Sequence, residues 1–103
     1  HIMSKVAIAV KIRVKAGQRD AMTAAVQPGL ATAQGESGTL TYLFHHDLVD
    51  ENVVWFYELY EDDASAKAHS SSAAFATWSQ SLAPFVDGAP EMSFLKPVGG
   101  KGL

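Results

Sequence analysis

Apolar and polar residues alternate at the start of the chain. Val6, Ile8, Val10, Ile12 and Val14 are separated by Ala7, Ala9, Lys11, Arg13 and Lys15. A period of two places the first set on one face of a strand. Ala16-Gly17-Gln18 reads as a turn. From Arg19 the spacing changes, and Met22, Val26, Leu30 and Ala33 recur at helical intervals. Pro28-Gly29 falls inside this stretch. Proline lacks an N–H and crowds the preceding turn, which predicts a kink or two short helices. Gly35-Glu36-Ser37-Gly38 ends the segment. Leu40, Tyr42 and Phe44 then alternate as a second strand, and 47–52 reads as a polar turn. Val53 to Tyr60 is apolar and aromatic except for Glu58, the pattern of a strand covered on both faces. Asp62-Asp63 supply capping chemistry for a short helix through His69. Ser70-Ser71-Ser72 can cap a second, with Phe75, Trp78 and Leu82 packing it onto the sheet. Pro84 to Pro90 reads as a loop, and Met92, Phe94 and Leu95 as a last strand.

The element order is β-α-β-β-α-β, which predicts an α+β fold of the ferredoxin-like split βαβ kind. One antiparallel sheet carries its helices on one face. A single domain is expected over 3–98. His1-Ile2 reads as a cloning scar and 99–103 as a flexible tail. Because the helices cover only one face, the two-sided third strand needs a second cover. In so short a chain the simplest cover is another copy, so a homodimer is expected.

Composition narrows the partners. The 103 residues are 48% hydrophobic and 18% charged, an ordinary globular balance. Folding at this length hides roughly 65% of the unfolded surface, enough for a core. No run of about 18 apolar residues occurs, so no membrane partner is expected. No segment reads as a secretory leader. Cysteine is absent, which excludes disulfides, thiolate nucleophiles, iron–sulfur clusters and Cys zinc sites. A cytoplasmic location is the default. The net charge is −3 without a basic cluster, so no nucleic acid is expected as a partner. Adjacent His45 and His46 on a strand point to opposite faces and do not share an ion, so no metal is expected. Gly99-Gly100-Lys101-Gly102 lacks the Ser or Thr and the helix of a phosphate loop.

Glu58 is the one charge in its strand. A carboxylate covered on both sides must find a partner, and Lys11 or Arg13 on the first strand are candidates. Phe56, Glu58 and Tyr60 share one face of the third strand. Ala7 and Ala9 are small and leave space over the sheet, which suggests a pocket lined by Ala7, Ala9, Phe56 and Tyr60. Tyr42, Tyr57 and Tyr60 supply phenol donors or core packing.

Three runs together carry a family resemblance. They are Glu36-x-Gly38-x-Leu40-x-Tyr42, Tyr57-Glu58-x-Tyr60 and His69-x-x-Ser72-x-x-Phe75. In this order the chain resembles the antibiotic-biosynthesis-monooxygenase family, from Val6 to about Pro97. The resemblance implies a dimeric α+β barrel with a pocket in each subunit. Members include cofactor-independent monooxygenases of quinols and polyketide phenols, haem-degrading enzymes and enzymes that process a small signalling molecule. Haem-degrading relatives carry Trp where this chain has His69, and a haem-ligating His where it has Ser79. In an anthrone-oxidising relative an Asn and a Trp stand where this chain has Phe56 and Tyr60.

The resemblance thus implies a monooxygenase-like enzyme for a small aromatic or quinol, with no cofactor. Such a substrate reduces oxygen itself once deprotonated, if the protein supplies a base, a dry pocket and hydrogen bonds. His69 is the candidate base, because imidazole titrates near neutrality. Glu58 is the candidate to orient it or share the acid–base work. Tyr42, Phe56, Tyr60, Ala7 and Ala9 are the candidate substrate-binding residues. The alternative is a non-catalytic dimeric module that binds a small ligand or has a structural role. An isomerase or lyase on the same barrel is a third reading.

Overall fold

The structure is a computed structural model that describes residues 4–103. The assignment of 1–2 as a scar, and the domain start at residue 3, lie outside the described residues. The chain runs β1 (Val6–Arg13), α1 (Arg19–Gln34), β2 (Thr39–His46), β3 (Val53–Tyr60), α2 (Asp63–Ser71), α3 (Ala73–Leu82), a 3-10 turn (Ala83–Phe85) and β4 (Glu91–Leu95). It is an α+β fold whose sheet order is β2-β3-β1-β4, with every neighbouring pair antiparallel. Among the described residues no helix is long and apolar enough to cross a membrane.

The helix ends follow the side chains that satisfy them. Asp62 accepts from the Ser65 N–H at 2.8 Å and starts α2. Ser72 Oγ accepts from the Phe75 N–H at 3.0 Å and starts α3. Each cap occupies a backbone donor the helix cannot use. Pro28 does not divide α1, which is one helix of 16 residues. Tertiary packing explains the Pro-Gly pair. A Cβ on Gly29 would fall 2.2 Å from Cε2 of Trp78, so only glycine lets the indole lie against α1. The Trp78 Nε1–H donates to the Val26 carbonyl at 3.1 Å.

Register sorts the side chains. Val10 pairs with Phe56, Ile8 with Glu58 and Val6 with Tyr60, while Tyr42 pairs with Glu58 on the other side of β3. These residues share the front face, under the helices. Met22 and Val26 of α1 are fully buried there and join one core with Val54, Phe56 and Tyr60. Burying a side chain of that size contributes about 1.5–3 kcal/mol.

The back face carries Ala7, Ala9, Trp55, Tyr57 and Leu59, with Leu43 half exposed. Among the described residues no helix lies over it. Gly99, Lys101, Gly102 and Leu103 border a hollow on this face together with Ala7, Tyr57 and Leu59. At the β2–β3 turn, the Asp47 carboxylate accepts from the N–H groups of Val49 and Asp50 and from Trp55 Nε1. Those bonds hold its carboxyl down at about 2.

Candidate active site

A cleft of about 720 Å³ opens between the front face and the α2–α3 pair. Its floor is Val6, Ile8, Val10 and Ile12 of β1, continued by Met92 and Phe94 of β4. Phe75, Trp78 and Leu82 of α3 form the opposite wall. At one end stand Tyr42, Phe56, Glu58, Tyr60 and His69, where the polar groups gather. Glu58 and His69 are the buried polar residues of the described chain.

His69 lies two turns into α2, three residues after Ala66, so both face the cleft. Its imidazole is enclosed by Tyr42, Phe75 and Tyr60, with ring centroids at 4.9, 5.1 and 5.6 Å. Nδ1 lies 2.7 Å from Oε1 of Glu36. Nε2, on the other side of the ring, is buried without a hydrogen-bond partner, the one such side-chain atom among the described residues. A buried orphan of this kind normally costs about 1–3 kcal/mol, which singles it out among the polar atoms of the site.

Glu58 accepts a hydrogen bond from the Tyr60 hydroxyl at 2.5 Å. Burial pushes its carboxyl above the usual carboxylate range, and the bond from Tyr60 and nearby His69 offset this in part. Burial and the Glu58 charge raise the Tyr60 hydroxyl. Burial, then Glu58 and Glu36, raise that of Tyr42. Both tyrosines are therefore held as neutral phenols, able to donate a hydrogen bond. The expected cationic partners for Glu58 lie on the back face instead. Lys11 sits over the Trp55 ring, and Arg13 meets Asp50 at 3.3 Å. Alternation along β1 puts odd and even residues on opposite faces, so neither can reach a front-face carboxylate.

The structure brings five sequence-derived candidates together: His69, Glu58, Tyr42, Phe56 and Tyr60. It does not bring Ala7 or Ala9 to them. Ala9 pairs with Tyr57 and Ala7 with Leu59, which places both alanines on the back face. Phe75 and Trp78, expected as core packing, are half-buried and wall the cleft. Sequence reasoning missed Glu36 as a partner of His69, although it opens the first resemblance run. The only hint was its place in a glycine-flanked turn. A Cβ at Gly38 would fall 2.2 Å from Oγ of Ser65, so glycine lets that turn sit against the first turn of α2.

The fold and the site can now be set beside known proteins. The family model for antibiotic biosynthesis monooxygenase matches residues 5–81. The chain belongs to that family. A family protein from Chloroflexus aurantiacus J-10-fl is similar over 96% of this chain and 98% of its own, with 30% identity and a TM-score of 0.81. One from Caulobacter crescentus CB15 matches 96% of this chain and 94% of its own at 20% identity, with a TM-score of 0.89. A protein of unknown function from Nitrosomonas europaea matches 98% and 96% at 22% identity, with a TM-score of 0.84. The last two likenesses concern the fold alone. No curated protein matches the chain.

Proposed function

We propose that this protein is a cofactor-independent monooxygenase for a small aromatic hydroxyl compound, a quinol or phenol, working as a homodimer. The observation that carries the reading is the buried, orphaned Nε2 of His69, a residue that lines a largely apolar cleft. An unprotonated imidazole nitrogen there accepts the proton of a ring hydroxyl. The resulting phenolate is electron-rich enough to give electrons to dioxygen. One oxygen atom then bonds to a ring carbon, the O–O bond breaks, and the other oxygen leaves as water. For a quinol the sum is quinol plus dioxygen to hydroxyquinone plus water, with the substrate supplying all four electrons. Tyr42, held as a neutral phenol, is the donor for developing negative charge, whereas the single O–H of Tyr60 is already given to Glu58. Phe56, Phe75 and Trp78 hold the aromatic ring and keep water out.

Membership of the family supports the reaction class. The half-exposed Leu43 and Leu95, with Trp55 and Tyr57 beside them, support a second copy on the back face. The test is oxygen uptake with a panel of quinols and phenols, alongside direct binding. Stoichiometric oxygen consumption, lowered about 10²–10⁴-fold in His69→Ala, is the expected result. Tight binding of the same compounds without oxygen uptake would instead make the chain a ligand-binding module.

A further inference from the structure

We propose that Glu36 is a positioning residue that fixes the tautomer of His69, keeping the hydrogen on Nδ1 and leaving Nε2 as a bare acceptor. The inference rests on the reading of His69 as the base and adds the group that makes it one.

An ionised carboxylate has only acceptors, so the hydrogen in a 2.7 Å contact between Glu36 Oε1 and His69 Nδ1 sits on the nitrogen. A neutral imidazole carries one hydrogen, so Nε2 is then a lone pair. On that assignment Nε2 is a buried acceptor still without a hydrogen-bond partner.

Glu36 is itself held from three directions. Its N–H donates to the Ala33 carbonyl at 3.1 Å, and its own carbonyl accepts from the Thr39 N–H at 3.1 Å. The Thr39 hydroxyl donates to the same Oε1 at 2.9 Å. The side chain is 24% exposed against 7% for His69, so the carboxylate keeps part of its hydration while the ring is enclosed. Tyr42, Tyr60 and Phe75 prevent the ring from turning over to offer the other nitrogen. When Nε2 takes the substrate's proton, the imidazolium formed is paired with Glu36 at once. The same proton is available to the oxygen that departs as water, so no other acid is needed.

Nitrogen NMR of the imidazole in the ligand-free protein reads the tautomer without any substrate. The wild-type protein should show hydrogen on Nδ1 and none on Nε2. Glu36→Leu, which removes the acceptor, should release the hydrogen from Nδ1 and populate the form with hydrogen on Nε2. With a working substrate it should lower kcat by about 10²–10⁴-fold while KM changes little. A wild-type spectrum with the hydrogen on Nε2 would overturn the inference, and needs no variant to fold. So would a Glu36→Leu protein that keeps the wild-type tautomer, or keeps its kcat while His69→Ala has lost turnover. Full turnover in His69→Ala would instead remove the base itself.

Discussion

Glu58 carries its charge on the front face with the Tyr60 hydroxyl as its hydrogen-bond partner, and its raised carboxyl has a consequence for stability. Below the ordinary value of 4.5 it is protonated whether the chain is folded or not. As pH rises from there, the unfolded chain loses the proton first. The folded state binds more protons, so stability falls until pH passes the folded value. Asp47, Asp50 and Asp62 are shifted the other way, and their contribution is present above 3.8 and lost as pH falls. The two windows do not overlap. Glu58→Gln should therefore flatten the decline above 4.5 and leave the acid limb unchanged, as measured by urea midpoints from about pH 2 to 8. At His69 the chemical and structural roles also separate. Loss of the ring should lower turnover by about 10²–10⁴-fold, whereas a purely structural part would show as about 1–3 kcal/mol of stability. Activity and melting temperature of His69→Ala, measured together, decide between them.

At the scale of elements, the contact of α1 with α3 depends on a missing methyl group. Gly29→Ala would gain about 1 kcal/mol of helix propensity. It would also force Cβ to 2.3 Å from Nε1 of Trp78, and overpacking of this kind costs about 1–3 kcal/mol. The net change should lower the melting temperature. The same substitution should weaken ligand binding, because Trp78 also walls the cleft. This element exposes the limit of local signals. Pro28-Gly29 reads as a break, since proline forfeits a backbone bond, but an indole 49 residues away in the chain decides the outcome. The strands were legible for the opposite reason. Alternation in 6–14 and the apolar run of 53–60 set their identity locally, and Asp62 and Ser72 announce their helices by cap chemistry alone. Register was not legible. Period two shows which residues of one strand share a face, but not that Val10 rather than Ala9 stands beside Phe56.

For the molecule as a whole, the sheet has one face under helices and one without them. Homodimerisation through the back face is expected to bury more than about 1,200 Å² in total. Sedimentation should give a dimer at micromolar concentration, and Leu43→Asp, which puts a charge in that face, should shift it to monomer. A wild-type protein that sediments as a folded monomer would contradict this. The site was only half legible at this scale. Glu58 stood out as the one charge in an apolar strand and His69 through the His69-x-x-Ser72-x-x-Phe75 run, whereas Glu36 reaches its partner across 33 positions of chain, a closure set by topology. The sheet order has one more effect. β4 is an edge strand of five residues, all exposed, and it pairs with β1 alone. Local opening is easiest where few apolar contacts are buried. Amide hydrogens of β4 should thus exchange at a lower free energy than those of central β1. Because Met92 and Phe94 continue the cleft floor, each such excursion unlatches the cavity from its edge. A bound ligand would slow exchange in β4 more than in β3, so the edge strand reports whether the cleft is filled.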